Sequence, residues 1–422
     1  VKAQSSVDAE WSRLKKIFAS PQLQMVSFTI TEKGYALRDA KGEYFPFIRS
    51  DIDNGPDKAS SAMAVVSALL YERFNTCKAP LAVVSMDNCS HNGEKLRNSI
   101  TDMVGEWQKK GFVSEDFVQY VNDENTISFP WSMIDKITPR PADTVAESLK
   151  EAGVEDMDPV ITSKRTYIAP FVNAEGPQYL VIEDRFPNGR PQLEKAGVYM
   201  TDRDTVNKVE RMKVTTCLNP LHTALAVYGC VLGYDLIADE MKDKELSELV
   251  KRIGLVEGMP VVTNPGIIDP EKFADEVINV RIPNPFMPDT PQRIATDTSQ
   301  KVGIRYGETI KSYVAKDGSA RALTAIPLAI AGWCRYLLGI DDNGEAFELS
   351  PDPMADELKC QLDGIVWGES SSYTGQLKNL LSNANIFGIN LYEAGIGDKI
   401  EEMFVEEISG KGAIRETLKK YL

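Results

Sequence analysis

Residues 24–30 read QMVSFTI and residues 81–86 read LAVVSM. Each is a short apolar, β-branched run closed by polar turn residues. Thr31-Glu32-Lys33-Gly34 follows the first and Asp87-Asn88 the second. That is the pattern of a buried strand. Between them, residues 56–75 carry Ala62, Val65, Val66, Leu69 and Leu70 at helical spacing, with Asp57 near the start. Residues 94–111 form a second amphipathic helix. Strand, helix, strand, helix is the βαβ signature of a parallel sheet. Such sheets hold ligands beyond the carboxyl ends of their strands, which singles out residues 31–34 and 87–93.

From about residue 201 the period changes to that of long helices. They are predicted over 206–234, 241–253, 291–313, 322–338, 372–381 and 413–421, with Pro and Gly gathered in 260–270 and 283–291. The expected fold is α/β: a Rossmann-like parallel-sheet domain over residues 1–202, then a mostly α-helical domain over 203–422. No internal repeat or low-complexity tract interrupts either part.

The composition narrows the function. Among 422 residues, 62 are acidic and 47 basic, a net charge of −15, which disfavours a phosphate-backbone partner. The six Cys contain no C-x-x-C pair and read as free thiols of a reducing compartment. With only two His and no short-spaced ligand cluster, a metal-independent chemistry is expected. The longest apolar run, 322–340, is interrupted by Pro327 and Arg335 and reads as a core helix, not a membrane span. No G-x-G-x-x-G opens a helix after a strand; Gly395-Ile396-Gly397 lacks the third Gly.

Residues 213–222, KVTTCLNPLH, put polar groups inside an otherwise apolar helix. Asn219 and His222 are three apart and share a face. A lone His there is more often a hydrogen-bonded core residue than a ligand. The chemical reading makes Lys213 a general base and Asn219 and His222 the groups that bind a substrate oxygen. In a straight helix the six residues from Lys213 to Asn219 turn through about 240°, so the two would face apart. Pro220 lacks an N–H and clashes with the carbonyl one turn back. A π-bulge or a kink between them is therefore expected to bring Lys213 round to the Asn219 face. Further on, Arg293, Asp297 and Lys301 stand at i, i+4, i+8 after a Pro291 helix start. That is a salt-bridge ridge on the bland reading and two cations facing substrate oxygens on the functional one.

Seven collinear segments together resemble the mannitol dehydrogenase family of polyol-specific long-chain dehydrogenases. They are SFTITEKGY (27–35), SMDNCSHNG (85–93), FPWSMIDKITP (129–139), VIEDRFPNGRP (181–191), 213–222, 289–301 and AGWCRY (331–336). The resemblance covers nearly the whole chain. It implies metal-independent hydride transfer with NAD, NADP being the other option, between a linear polyol or sugar acid and its keto form. The branch it favours interconverts D-mannonate and D-fructuronate; mannitol 2-dehydrogenase chemistry is the alternative, and a non-catalytic substrate-binding fragment is an alternative of another class. It also implies a cytoplasmic protein, a monomer, with a small-molecule partner and neither nucleic acid nor membrane.

By motif match, the resemblance makes Lys213 the catalytic acid/base. Asn219 and His222 hold the reacting oxygen. Asn88, Asp135, Arg293 and Lys301 contact substrate. Thr31, Asp87 and Asn88 lie at the cofactor. Arg293 and Lys301 beside Lys213 are expected to favour its neutral form. Two departures stand out. The Lys-to-Asn interval is one residue longer than the family's K-x-x-x-x-N, and Val1 falls after the place of the family's Gly-rich nucleotide turn, so the first βαβ portion is expected to be missing.

Overall fold

The structure is a computed structural model and describes residues 8–39, 41–138, 141–163, 165, 167–287 and 289–422. Among them lie β1 (Met25–Phe28), β2 (Leu81–Ser85), β3 (Ile127–Ser128), β4 (Ser132–Asp135), β5 (Val160–Ile161), β6 (Tyr167–Ile168), β7 (Tyr179–Glu183) and β8 (Tyr199–Thr201). Two compact units form: Val1–Asp135 with Gln178–Glu210, and Lys136–Pro177 with Arg211–Leu422. The division at 202/203 read from the sequence is linear. By packing, residues 136–177 go with the second unit and 203–210 with the first.

In the first unit β1 and β2 pair in parallel, Met25 opposite Ala82 through Phe28 opposite Ser85, and β2 pairs in parallel with β3. The crossovers carry helices Ala62–Thr76 and Asn92–Lys109, as the βαβ reading requires. All five β2 residues are buried. Leu81 and Val83 join the core of the crossover helices, while Ala82 and Val84 pack with Ile182 of β7 on the other face. This is the two-residue alternation of a strand covered on both sides. A second sheet runs β4-β7-β8, antiparallel between β4 and β7 and parallel between β7 and β8.

The crossover helix begins later than residue 56. The Asp51 carboxylate collects Ser60 N, Ser60 Oγ and Ser61 N at 3.0, 2.7 and 2.9 Å. This holds the approach as a loop, and Ser61 then caps the helix.

The second unit is helical around Asn219–Leu232, whose residues are buried on nearly every side. It packs against Ala325–Tyr336, which packs in turn on Gly397–Glu407. Arg335 of the AGWCRY segment is fully buried and holds backbone carbonyls, Nε to Glu407 at 3.2 Å and Nη2 to Asp341 at 3.0 Å. Residues 136–177 carry the β5–β6 hairpin. They are fastened to this unit by a buried ion pair, Glu175 Oε1 to Arg281 Nη2 at 2.8 Å. Pro139, which closes the 129–139 segment, lies outside the described residues.

Two predicted helices are corrected. Of 372–381 only Lys378–Leu381 is α-helical; Ser372 instead closes a short 3-10 turn, its Oγ accepting from the Val366 amide (2.9 Å) and donating to the Glu369 carbonyl (2.6 Å). The 291–313 helix breaks after Pro291–Ile294. Asp297 sits in the left-handed region at φ 55°. Asp352 captures Ser299 N and Oγ at 2.8 and 2.5 Å.

Candidate active site

The chain turns through a π-helix at Lys213–Cys217, between α-helices Arg203–Met212 and Asn219–Leu232. Its mark is the Leu218 amide on the Lys213 carbonyl at 3.1 Å, five residues back. Pro220 explains the position. It cannot donate, so an α-helical partner for the Thr216 carbonyl does not exist. Leu218 leaves helical geometry at φ −134°, ψ −63°. A π-turn holds one residue more than an α-turn, and the extra residue between Lys213 and Asn219 is taken up there. Lys213 keeps only 3% of its exposure, so the uninterrupted helix with a solvent-facing Lys does not form. Asn219 and His222 follow, both half-buried.

A second π-helix, Gly303–Gly307, packs against the first. Its helix satisfies carbonyls on and just after the first π-turn: Thr309 Oγ1 donates to the Thr215 carbonyl (3.2 Å) and Tyr306 Oη to the Pro220 carbonyl (3.0 Å). Between them Arg305 Nη1 donates to Thr223 Oγ1 at 2.5 Å, and Thr223 Oγ1 donates to the Asn219 carbonyl at 3.0 Å. Arg305 is thereby tied to the turn that carries Asn219 and His222. Sequence reasoning missed Arg305. The available signal was a second cation four residues after Lys301.

Arg293 and Lys301 do not share a ridge, since the helix between them is broken. Arg293 has a side chain 71% exposed and is paired with Asp289, Nε to Oδ1 at 2.5 Å. That hydrogen bond raises its pKa. Lys301 is half-buried and donates to the Thr296 carbonyl. Burial first, then the Arg305 charge, lowers its pKa.

In the first unit, Asp87 follows β2 and its carboxylate is fully engaged. Oδ1 accepts from Thr31 N at 2.8 Å, and Oδ2 from Ile30 N at 2.9 Å and Tyr35 Oη at 2.5 Å. Asp87 thus shapes the turn after β1. Within that turn Thr31 has φ 63° and ψ 159°, a region that side chains other than Gly avoid. Strain of this kind gathers at ligand sites. Asn88 follows Asp87, and the buried Asp135 ends β4 opposite Tyr179 of β7. The Asn92 amide ties β2 to β4, accepting from Ser132 N at 3.0 Å and donating to the Asp87 carbonyl at 3.0 Å.

Among the described residues, no three His, Cys, Asp or Glu side chains gather as metal ligands. No helix among them is long and apolar enough to cross a membrane.

Residues 1–195 match the family described as "Mannitol dehydrogenase Rossmann domain" and residues 205–407 "Mannitol dehydrogenase C-terminal domain". A Thermotoga maritima protein named "D-mannonate oxidoreductase" is 55% identical over 414 residues, 97% of this chain and 76% of that protein. Two solved structures are similar. Pseudomonas fluorescens mannitol 2-dehydrogenase, in a ternary complex with NAD and D-mannitol, has TM-score 0.66 and 25% identity, over 99% of this chain and 77% of that one. A D-sorbitol dehydrogenase in substrate-free form has TM-score 0.73 and 27% identity, over 95% and 77%.

Proposed function

Because the chain belongs to the mannitol dehydrogenase family, we propose that it is an NAD-dependent oxidoreductase interconverting D-mannonate and D-fructuronate. The observation that carries this reading is the buried Lys213 on its π-turn ahead of Asn219 and His222. The 55% identity to a protein named for D-mannonate supports the substrate.

The reaction moves a proton and a hydride from one secondary alcohol carbon and its oxygen. Bound NAD supplies the hydride acceptor. Thr31 and Asn88 would hold it, at the carboxyl ends of adjacent parallel strands, where such sheets take ligands. The strained Thr31 backbone, fastened by Asp87, fits that use. Lys213 Nζ takes the hydroxyl proton during oxidation and returns it to the carbonyl oxygen during reduction. The Asn219 side-chain amide and the His222 ring donate to that oxygen as negative charge develops on it.

The test is oxidation of NADH with D-fructuronate and with D-fructose, side by side. Turnover of D-fructuronate at far higher kcat/KM is expected. Preference for D-fructose would move the protein to the mannitol branch. Loss of all turnover in a folded protein that still binds sugar acid would favour a non-catalytic binding role.

A further inference from the structure

The geometry points to Arg305 as the residue that recognises the carboxylate end of the substrate and so sets the choice of a sugar acid over a neutral polyol. This inference rests on the sugar-acid reading above and names the group that enforces it.

Arg305 is half-buried on the Gly303–Gly307 π-turn. Among the described residues no carboxylate lies within ion-pair distance of it, and one of its five N–H groups is bonded to protein, the 2.5 Å bond to Thr223. Its near charged neighbour is another cation, Lys301, one helical turn back. Burial alone brings its pKa down to about 10, which leaves it charged at neutral pH. A half-buried guanidinium with a like charge nearby and a neutral hydroxyl as its one side-chain partner is left without charge compensation among the described residues. It becomes favourable when an anion enters, and a planar carboxylate matches the free side of the guanidinium fork with two parallel hydrogen bonds.

The other cations are committed elsewhere. Arg293 is exposed and neutralised by Asp289. Lys301 is held by the Thr296 carbonyl and sees the charges of Asp297 and Asp352. Arg305 is also held in place. Gly303 and Gly307 flank it, and the backbone oxygens of Ile386 and Phe387 stand where their Cβ atoms would be, at 2.5 and 1.8 Å. The bond through Thr223 to the Asn219 carbonyl fixes its register on the turn that carries the proposed oxygen-binding pair.

The experiment compares the intact protein with Arg305→Gln and Arg305→Lys on D-fructuronate and on the neutral D-fructose. Arg305→Gln is expected to raise KM for the sugar acid about 100-fold, the scale of a lost charge-assisted pair. KM for the neutral sugar should move only a few-fold. Arg305→Lys, which keeps the charge and loses the fork, should fall between. Equal losses on both substrates, or an unchanged KM for the acid, would overturn the assignment. Thr223→Val gives the same comparison if Arg305→Gln does not fold, with a smaller rise of about 10-fold for the acid alone. If the wild type turns over neither sugar, the catalytic reading has failed and this one is judged by thermal shift. D-mannonate should then stabilise the wild type more than D-mannitol does, and Arg305→Gln should abolish the difference. Equal shifts from both ligands would reject it.

Discussion

Glu407 is fully buried, with Oε1 2.7 Å from the Tyr228 hydroxyl, which also lies 2.8 Å from the Leu328 carbonyl oxygen. One phenol proton cannot serve both acceptors. A neutral Glu407 resolves the count, because its own proton donates to Tyr228 Oη and the phenol then donates to Leu328. Burial pushes the Glu407 pKa up to about 8. The unfolded chain ionises this group near pH 4.5 while the fold keeps it protonated, so its stabilising contribution is complete below about 4.5 and is lost as pH rises toward 8. Glu407→Gln copies the neutral hydrogen bonds. Chemical denaturation should show it matching wild type at pH 5 and exceeding it at pH 8 by up to an order of 5 kcal/mol. A variant that loses stability equally at both pH values would rule out the neutral carboxyl. Lys213 is tested as simply. Lys213→Met should lower turnover by about 10³ while leaving NADH binding, read by fluorescence, within a few-fold.

At the scale of elements, the proposed site rests on two π-turns that complete one another. Thr309 and Tyr306 fill carbonyls on and beside the first turn, and the second turn lies flat on the 384–387 backbone because Gly303 and Gly307 have no side chain. Gly307→Ala would drive a methyl group against the Phe387 carbonyl, 1.8 Å away. It should cost about 3 kcal/mol or more in urea unfolding, with sugar-acid KM rising as Arg305 shifts. Unchanged stability would mean that the two backbones part easily.

That the helix departs from regular geometry between Lys213 and Asn219, by a π-bulge or a kink, was legible in the sequence, because Pro220 and the angular mismatch of the two residues are local facts. The broken 291–313 helix was not. What breaks it is Asp352, 53 residues from Ser299 along the chain, and helical periodicity carries no trace of that partner. Arg305 was missed for a related reason. An Arg in a helical stretch looks like a solvated one until it is seen that, among the described residues, its one side-chain partner is the Thr223 hydroxyl.

Across the whole molecule, the parallel sheet could be read from two apolar runs because β2 is covered on both faces and shows it in every residue. The membership of residues 136–177 could not, since it rests on the Glu175–Arg281 pair, 106 residues apart. The thiols test both units together. Cys217, Cys230 and Cys334 are buried in the helical core, Cys77 and Cys89 are half-buried and Cys360 is exposed. Burial lifts the Cys217 and Cys230 pKa values to about 12, and a thiol reacts as its thiolate. Native protein treated with a disulfide reagent at pH 8 should release chromophore from Cys360 first, from Cys77 and Cys89 slowly, and from the remaining three only on denaturation. Peptide mapping after brief alkylation assigns each phase. Early labelling of Cys217 or Cys230 would mean that the helix carrying Asn219 and His222 opens readily in the native protein.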